Sequence, residues 1–163
     1  MALPRRSIIA AACVLAVFTP ASATAAQLSG RVVNVLDGDT IVVLVGRDQV
    51  RVRLARIDAP ERPAQAFSVA SRDALASLVA GQAVRVSYSS TDQYGRVIGE
   101  VDAGGVNANT QQLRQGWAWV FRTYNKNPLD MALEVQARDR RAGLWADPRP
   151  IPPWEWRRAK RER

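Results

Sequence analysis

Apolar residues in the first part of the chain are spaced as β-strands require. Residues 32–36 and 41–45 are short runs rich in β-branched residues, and residues 50–55 alternate apolar with charged or small side chains. Tight turns are predicted between these runs at Asp37-Gly38 and at Gly46-Arg47-Asp48, because aspartate and glycine suit the backbone of such turns. The pattern therefore predicts three strands connected as an antiparallel meander.

The spacing of apolar residues changes after residue 64. Phe67, Ala70, Ala74 and Leu78 recur at intervals of three and four, which predicts an amphipathic helix over 64–79 with these residues on its apolar face. Two more strands and two more helices complete the predicted elements: strands at 84–88 and 97–101, helices at about 109–115 and 129–142.

Five short strands with a helix between the third and the fourth fit one fold class in particular. We expect an α+β, mainly β protein: a five-stranded Greek-key barrel of the OB type with about three helices. Residues 147–153 hold four prolines and are predicted to be neither helix nor inner strand. Barrels of this type commonly bind oligonucleotides and oligosaccharides, but a fold alone does not establish a function.

The N-terminus resembles an export signal rather than part of the barrel. Arg5 and Arg6 precede an apolar run, Ile8 to Phe18, which is followed by the small-residue stretch 21–26. A charged start, a short apolar centre and an Ala-x-Ala site predict a secretory signal peptide over residues 1–26. The run is shorter than the about 20 residues of a membrane-spanning helix, although an uncleaved anchor or a core helix remains the alternative.

This organisation predicts three segments and a location. The signal peptide (1–26) is followed by the barrel domain (27–146) and by a basic tail rich in Pro, Trp and Arg (147–163). We expect a secreted or periplasmic protein that keeps no stable membrane association after cleavage, and we expect a monomer.

Composition removes several kinds of chemistry. The 163 residues include no histidine and one cysteine, which excludes Ser-His-Asp triads, histidine metal sites and a disulfide framework. The 23 Lys and Arg residues outnumber the 15 Asp and Glu residues, giving a net charge of +8. A field of that sign favours polyanionic partners: nucleic acid, anionic membrane or acidic polysaccharide.

Polar residues with chemical potential lie at the predicted strand ends. Because the first and third strands of a meander both lie near the second, Asp39 in the first turn and Asp58 after the third strand can approach each other. Two adjacent carboxylates repel unless a cation or a proton lies between them. Without histidine or cysteine, a hard cation bound by oxygen is the natural choice, calcium before zinc. Arg53 and Arg96 nearby would suit a phosphate group.

Taken together and in order, three strings resemble the thermonuclease family, whose prototype is staphylococcal nuclease. They are Asp37-Gly38-Asp39-Thr40, Arg53-x4-Asp58-Ala59-Pro60-Glu61 and Asp92-Gln93-Tyr94-Gly95-Arg96, within a resemblance from about Gly30 to Trp145. It implies a calcium-dependent, secreted endonuclease that cleaves DNA and RNA and leaves 3′-phosphate ends. The alternatives are a non-catalytic nucleic-acid-binding barrel and a binder of anionic polysaccharide, neither of which needs the acidic residues.

The resemblance also implies a role for each matching residue. The calcium ligands would be Asp39, Asp58 and the backbone carbonyl of Ala59, with Asp37 as an acid close behind them. Glu61 would be the general base, Arg53 and Arg96 would hold the phosphate, and Tyr94 would lie at the nucleotide-binding edge.

The C-terminal tail lies outside this resemblance. Trp154 and Trp156 are expected to pack against the barrel, or alternatively to stack on bases. Arg157 and Arg158 are expected to act only by ionic attraction to the nucleic-acid backbone.

Overall fold

The computed structural model describes residues 26–162, so the predicted signal peptide up to Ala25 lies outside the described residues. The main strands are β1 (Ala26–Asp37), β2 (Thr40–Val45), β3 (Asp48–Leu54), β5 (Ala83–Thr91) and β6 (Val97–Ala103). Three two-residue strands accompany them: β4 (Ile57–Asp58), β7 (Val106–Asn107) and β8 (Trp119–Val120). The helices are α1 (Ser68–Val79), α2 (Ala108–Arg114), α3 (Pro128–Asp139), a 3-10 turn (Gly143–Ala146) and α4 (Pro153–Arg161).

The five main strands form a closed barrel. β1 pairs antiparallel with β2 and with β5, β2 pairs with β3, and β5 pairs with β6. A parallel pairing of β3 with β6, in which Arg53 lies opposite Ile98, closes the barrel. The predicted α+β OB-type barrel is therefore confirmed, and the first three strands are the predicted meander.

The barrel interior is filled by the apolar positions of the alternating strands. Among the most buried are Ile41 and Val43 of β2, Val52 and Leu54 of β3, and Val86 of β5, each with an exposure of 0%. Each such side chain contributes roughly 1.5–3 kcal/mol by leaving water. This core fixes the strand ends that carry Asp39 and Asp58. None of the helices in residues 26–162 is long and apolar enough to cross a bilayer.

The predicted face of α1 is wrong by one position. Its buried residues are Ser68, Ser71, Leu75 and Val79, and the helix begins at Ser68 rather than at residue 64. Ser71 can face inward because its hydroxyl donates to the Trp117 carbonyl at 2.7 Å. The buried face is therefore shifted by one residue and includes two serines as well as the apolar Leu75 and Val79.

The C-terminal tail holds a fourth α-helix, which corrects the expectation of about three. Pro153 is the first residue of α4, where its fixed φ suits a helix start and its missing N–H has no consequence. The ring of Trp154 stacks on Phe121, with centroids 6.4 Å apart and planes at 7°, and meets Trp119 edge-on at 6.5 Å. The tail is therefore packed on the domain at this tryptophan.

Candidate active site

Asp39 lies buried at the turn between β1 and β2. The Asp39 backbone N–H donates to the Asp37 carboxylate at 3.0 Å, which stabilises the turn. The Asp39 carboxylate accepts hydrogen bonds from the backbone N–H of Ala59 at 2.7 Å and from the Thr40 hydroxyl at 3.0 Å. The first turn is thereby bonded directly to the segment that carries the second acid.

Asp58 is fixed by the short pairing of β4 with β8, in which it lies opposite Trp119. Arg53 joins the two acids: its Nη2 lies 3.0 Å from Asp39 Oδ2 and 2.9 Å from Asp58 Oδ1. Its Nη1 donates to the carbonyls of Leu54 at 2.7 Å and Ile57 at 2.8 Å. The structure therefore brings Asp39, Asp58 and Arg53 into one buried cluster, with the Arg53 guanidinium held at four points.

Arg53 and Arg157 do not fully offset the free-energy cost of burying the charged carboxylates of Asp39 and Asp58. Burial raises the pKa of Asp39 to about 7, with Arg53 opposing the shift and Asp37 adding to it. Burial also raises the pKa of Asp58, opposed by a hydrogen bond from Arg157 and by Arg53. A further positive charge at this point would stabilise both carboxylates.

The donor set fits a hard cation. Asp39, Asp58 and Ala59 offer oxygen ligands only, as calcium prefers. Within residues 26–162, no group of three or more acidic, cysteine or histidine side chains is arranged to hold a metal ion. Two carboxylates and a carbonyl would therefore leave water and substrate oxygens to complete the shell of 6–8 ligands.

Glu61 lies beside this cluster and contacts a residue of the tail. The Glu61 N–H donates to Gln65 Oε1 at 2.8 Å, and its carboxylate is paired with Arg157 Nη1. Arg157 also bonds Asp58, with Nη2 at 2.8 Å from Oδ2. α4 thus places Arg157 among the acids of the site, whereas its sequence context had led us to expect only an attraction to the nucleic-acid backbone.

Arg96 and Tyr94 lie farther along the same cleft, in the loop between β5 and β6. Asp92 organises that loop: its carboxylate accepts from Arg96 Nε at 2.7 Å and from the backbone N–H groups of Tyr94 and Arg96, both at 2.9 Å. Although partial desolvation opposes the shift, these bonds lower the pKa of Asp92. Arg96 lies against the ring of Tyr94, 5.7 Å from its centroid. No direct contact joins Arg96 to Asp39 or Asp58 within the described residues.

An open cleft of about 1130 Å³ connects these groups. Asp39, Arg53, Asp58, Glu61, Tyr94 and Arg96 all line it, as do Tyr124 and Arg157. Tyr94 and Tyr124 are 71% and 75% exposed, so most of each side chain is accessible at the cleft. All the sequence-predicted site residues thus lie at one cleft, in a buried acidic part and an exposed basic and aromatic part.

Comparison with known proteins shows the family of the chain. The family model of staphylococcal nuclease homologues matches residues 51–147. The chain belongs to the staphylococcal nuclease family. An Escherichia coli protein named "Uncharacterized endonuclease" is 48% identical over 136 residues, which cover 83% of this chain and 88% of that protein. A "Micrococcal nuclease" of Shigella flexneri is 45% identical over 172 residues, covering 98% of this chain and 96% of that one.

Membership of the staphylococcal nuclease family makes the protein a phosphodiester hydrolase that acts on nucleic acid, and the family is generally metal-dependent. The family match covers Arg53, Asp58, Glu61 and Arg96, whereas Asp39 and α4 lie outside the matched residues. The place of Arg157 of α4 at the site therefore follows from the structure and not from the family match.

Sequence reasoning missed Tyr124 and Arg157 as residues of the cleft. Tyr124 carries no motif, and its neighbour Arg122 pairs with the buried Glu134 rather than with the cleft. The available signal for Arg157 was the sequence Pro152-Pro153-Trp154, since proline at a helix start followed by a large aromatic residue predicts a packed helix.

Proposed function

We propose that this member of the staphylococcal nuclease family is an exported, calcium-dependent endonuclease that hydrolyses both DNA and RNA. The observation that carries the proposal is the pair of buried carboxylates, Asp39 and Asp58, joined by the Arg53 guanidinium at the floor of an open cleft. A hard cation suits that pair, and a nucleic-acid strand suits the cleft. Export rests on the signal-like pattern of residues 5–26.

The upper part of the cleft supports binding without regard to the sugar. Tyr94 and Tyr124 can stack on bases, which is tolerant of sequence because every base has an aromatic face. Arg96 can hold a phosphate through charge-assisted hydrogen bonds. Recognition through stacking and phosphate contacts does not read the 2′-hydroxyl, which distinguishes RNA from DNA.

The proposed reaction is attack of water on phosphorus with departure of the 5′ oxygen. Asp39, Asp58 and the backbone carbonyl of Ala59 would hold a calcium ion, which would supply positive charge to stabilise the negative charge that develops on the phosphate. Glu61 accepts the proton of the attacking water, a contribution of about 10²- to 10⁴-fold. Arg96 would donate to the phosphate oxygens as they gain charge. Arg53 would do so through Nε, since its Nη1 and Nη2 are bonded to two carbonyls and two carboxylates. Each arginine is worth about 10²- to 10³-fold. The products are a 3′-phosphate and a 5′-hydroxyl, the latter taking its proton from solvent.

The proposal is tested by incubating the purified protein with supercoiled plasmid DNA and with a single-stranded RNA of defined length. Each substrate is treated with calcium, with magnesium alone and with a calcium chelator. We expect internal cleavage of both substrates with calcium and none with the chelator, and end-labelling should find 3′-phosphates. Equal cleavage in the chelator would remove calcium from the mechanism, and cleavage of one substrate alone would refute the lack of sugar preference.

Replacing Glu61 with glutamine tests its role as the base. Glutamine keeps the shape of the side chain but cannot accept the proton, so kcat should fall about 10²-fold or more. Calcium affinity should change little, because Glu61 is not among the proposed ligands. The measurements are kcat on plasmid DNA and calorimetric titration with calcium. A kcat within a few-fold of wild type would leave Glu61 with a structural role only.

Replacing Asp92 with asparagine tests the support of Arg96. Asparagine fills the same space but loses the charged bond to Arg96 Nε, so the guanidinium is held less firmly and kcat should fall about 10-fold. The control is Asp102→Asn on β6, because within residues 26–162 the Asp102 carboxylate accepts a hydrogen bond from the Gly105 N–H and none from an arginine. If both variants kept wild-type kcat, Arg96 would not depend on Asp92 for its position.

A further inference from the structure

The C-terminal helix α4 is seated on the domain next to the acidic cluster. Its Trp154 is stacked on Phe121, and the Ile151 carbonyl just before the helix accepts from Gln65 Nε2 at 2.7 Å. The same Gln65, which is 5% exposed, accepts the Glu61 N–H through its Oε1. One buried amide therefore hydrogen-bonds both the Glu61 segment and the residue Ile151 just before α4.

From this position on α4, Arg157 bonds both Asp58 and Glu61. Its Nη2 lies 2.8 Å from Asp58 Oδ2, and its Nη1 lies 3.3 Å from Asp58 Oδ1 and also bonds Glu61 Oε1. The planar guanidinium fork fixes the angle between the groups that it bonds. Within residues 26–162, the Glu61 carboxylate bonds to Arg157 and to no other side chain, so this arginine orients it.

The acidic cluster around Arg157 keeps a net negative charge, which a bound cation can balance. Three carboxylates, of Asp39, Asp58 and Glu61, face two guanidiniums, of Arg53 and Arg157. With all three carboxylates ionised, the cluster carries one more negative charge than positive charge. Arg157 reduces the repulsion between Asp58 and Glu61 without neutralising the group as a whole.

We propose that Arg157 is a positioning residue of the active site, which holds the Glu61 and Asp58 carboxylates at a fixed mutual angle, and that α4 is therefore part of the catalytic machinery. This inference rests on the proposed role of Glu61 as the base. It assigns to the tail a role that ionic attraction to the nucleic-acid backbone cannot provide.

The test compares Arg157→Ala with Arg158→Ala in the full chain. Arg158 is the next residue of the same helix and is exposed, so its removal controls for the loss of one positive charge from α4. Arg157→Ala should lower kcat about 10- to 100-fold with KM little changed, since groups that orient reacting residues typically have effects of this size. Arg158→Ala should keep kcat and lower the salt slope of binding by about 0.7–0.9, as expected for the loss of one backbone contact.

Calcium titration without nucleic acid supplies a readout other than activity. Removing the guanidinium beside Asp58 removes a positive charge, so the calcium affinity of Arg157→Ala should be equal to or higher than that of wild type. A lower kcat together with undiminished calcium affinity is the expected signature. A higher kcat at limiting calcium would instead make Arg157 a competitor of the metal, and a raised KM with wild-type kcat would make it a plain substrate contact; either result overturns the proposal.

A double-mutant cycle tests whether Arg157 acts through Glu61. If it does, Glu61→Gln/Arg157→Ala should have about the kcat of Glu61→Gln alone, because the second change has nothing left to misplace. Losses that multiply would overturn the proposal. If the wild type failed to cleave with calcium, the proposed function itself would be wrong. If Glu61→Gln lowered kcat as expected but Arg157→Ala did not, only the inference about Arg157 would be wrong.

Two further variants separate positioning from charge and from folding. Arg157→Lys keeps the charge but not the fork, so it should recover only part of the lost kcat, and complete recovery would contradict the positioning role. Trp154→Ala leaves Arg157 in place in the sequence but removes the stacking on Phe121. Its kcat should fall, as that of Arg157→Ala does. An unchanged kcat would show that the packing of α4 on the domain does not affect catalysis.

Discussion

Asp39→Asn is expected to abolish nuclease activity while making the metal-free protein more stable. Asparagine can accept from the Ala59 N–H and donate to the Thr40 hydroxyl, the two groups that bond the Asp39 carboxylate. It removes a negative charge whose burial raises the pKa of Asp39 to about 7. We expect kcat to fall about 10³-fold or more, and the free energy of unfolding in chelator to rise by on the order of 1 kcal/mol or more.

The stability difference should depend on pH in a defined direction. Between the unfolded pKa near 4 and the folded pKa of about 7, the folded state binds more protons at Asp39 than the unfolded state does. The wild type therefore loses stability as pH rises through this range, and the advantage of Asp39→Asn should grow from pH 4 to pH 7. Urea unfolding in chelator at several pH values measures it. A less stable Asp39→Asn protein at pH 7 would contradict this account of the buried charge.

Arg53→Ala should abolish activity as well, but with the opposite effect on stability. Arg53 is the shared counter-ion of Asp39 and Asp58 and also satisfies the carbonyls of Leu54 and Ile57. Removing one partner of a buried ion pair typically costs 3–5 kcal/mol, so the free energy of unfolding should fall by about that amount. We expect kcat to fall about 10³-fold, as measured on plasmid DNA at a temperature where the variant is folded.

The matched control for this change is Arg51→Ala, on the same strand two residues earlier and exposed. It should leave both kcat and the free energy of unfolding close to wild type. If Arg53→Ala unfolded at the same urea concentration as Arg51→Ala, the buried ion pairs would not contribute to the fold. Together, Asp39→Asn and Arg53→Ala separate the loss of catalysis from the loss of stability.

The barrel could be predicted from the sequence because its strands alternate strongly and its turns have clear residues. The helix face was not predictable in the same way, since its buried residues include two serines, and Ser71 is buried through a hydrogen bond to the Trp117 carbonyl rather than through apolar character. The β4–β8 pair has only two residues on each side, too short for any periodic pattern. α4 was missed because a proline-rich segment precedes it and concealed its start.

The approach of Asp39 to Asp58 also followed from the sequence, because meander topology places the first turn near the end of the third strand. The place of Arg157 did not. It meets Asp58 across 99 positions of sequence, through a tail whose packing depends on Trp154 and Phe121. Spacing arguments work within neighbouring strands, whereas a contact of this kind depends on the finished surface of the barrel.

Closure of the barrel by β3 and β6 has a consequence for refolding experiments. The β1–β3 meander is local in sequence and alone brings Asp39 and Arg53 side by side, but Arg96 at the start of β6 joins the same cleft only when that strand pairs with β3. Pairings between distant segments form late because loop closure must precede them. A partly folded chain could thus show strand signal and bury its first acids without cutting a phosphodiester bond. The time at which cleavage returns during refolding would then report when β3 and β6 pair and close the barrel.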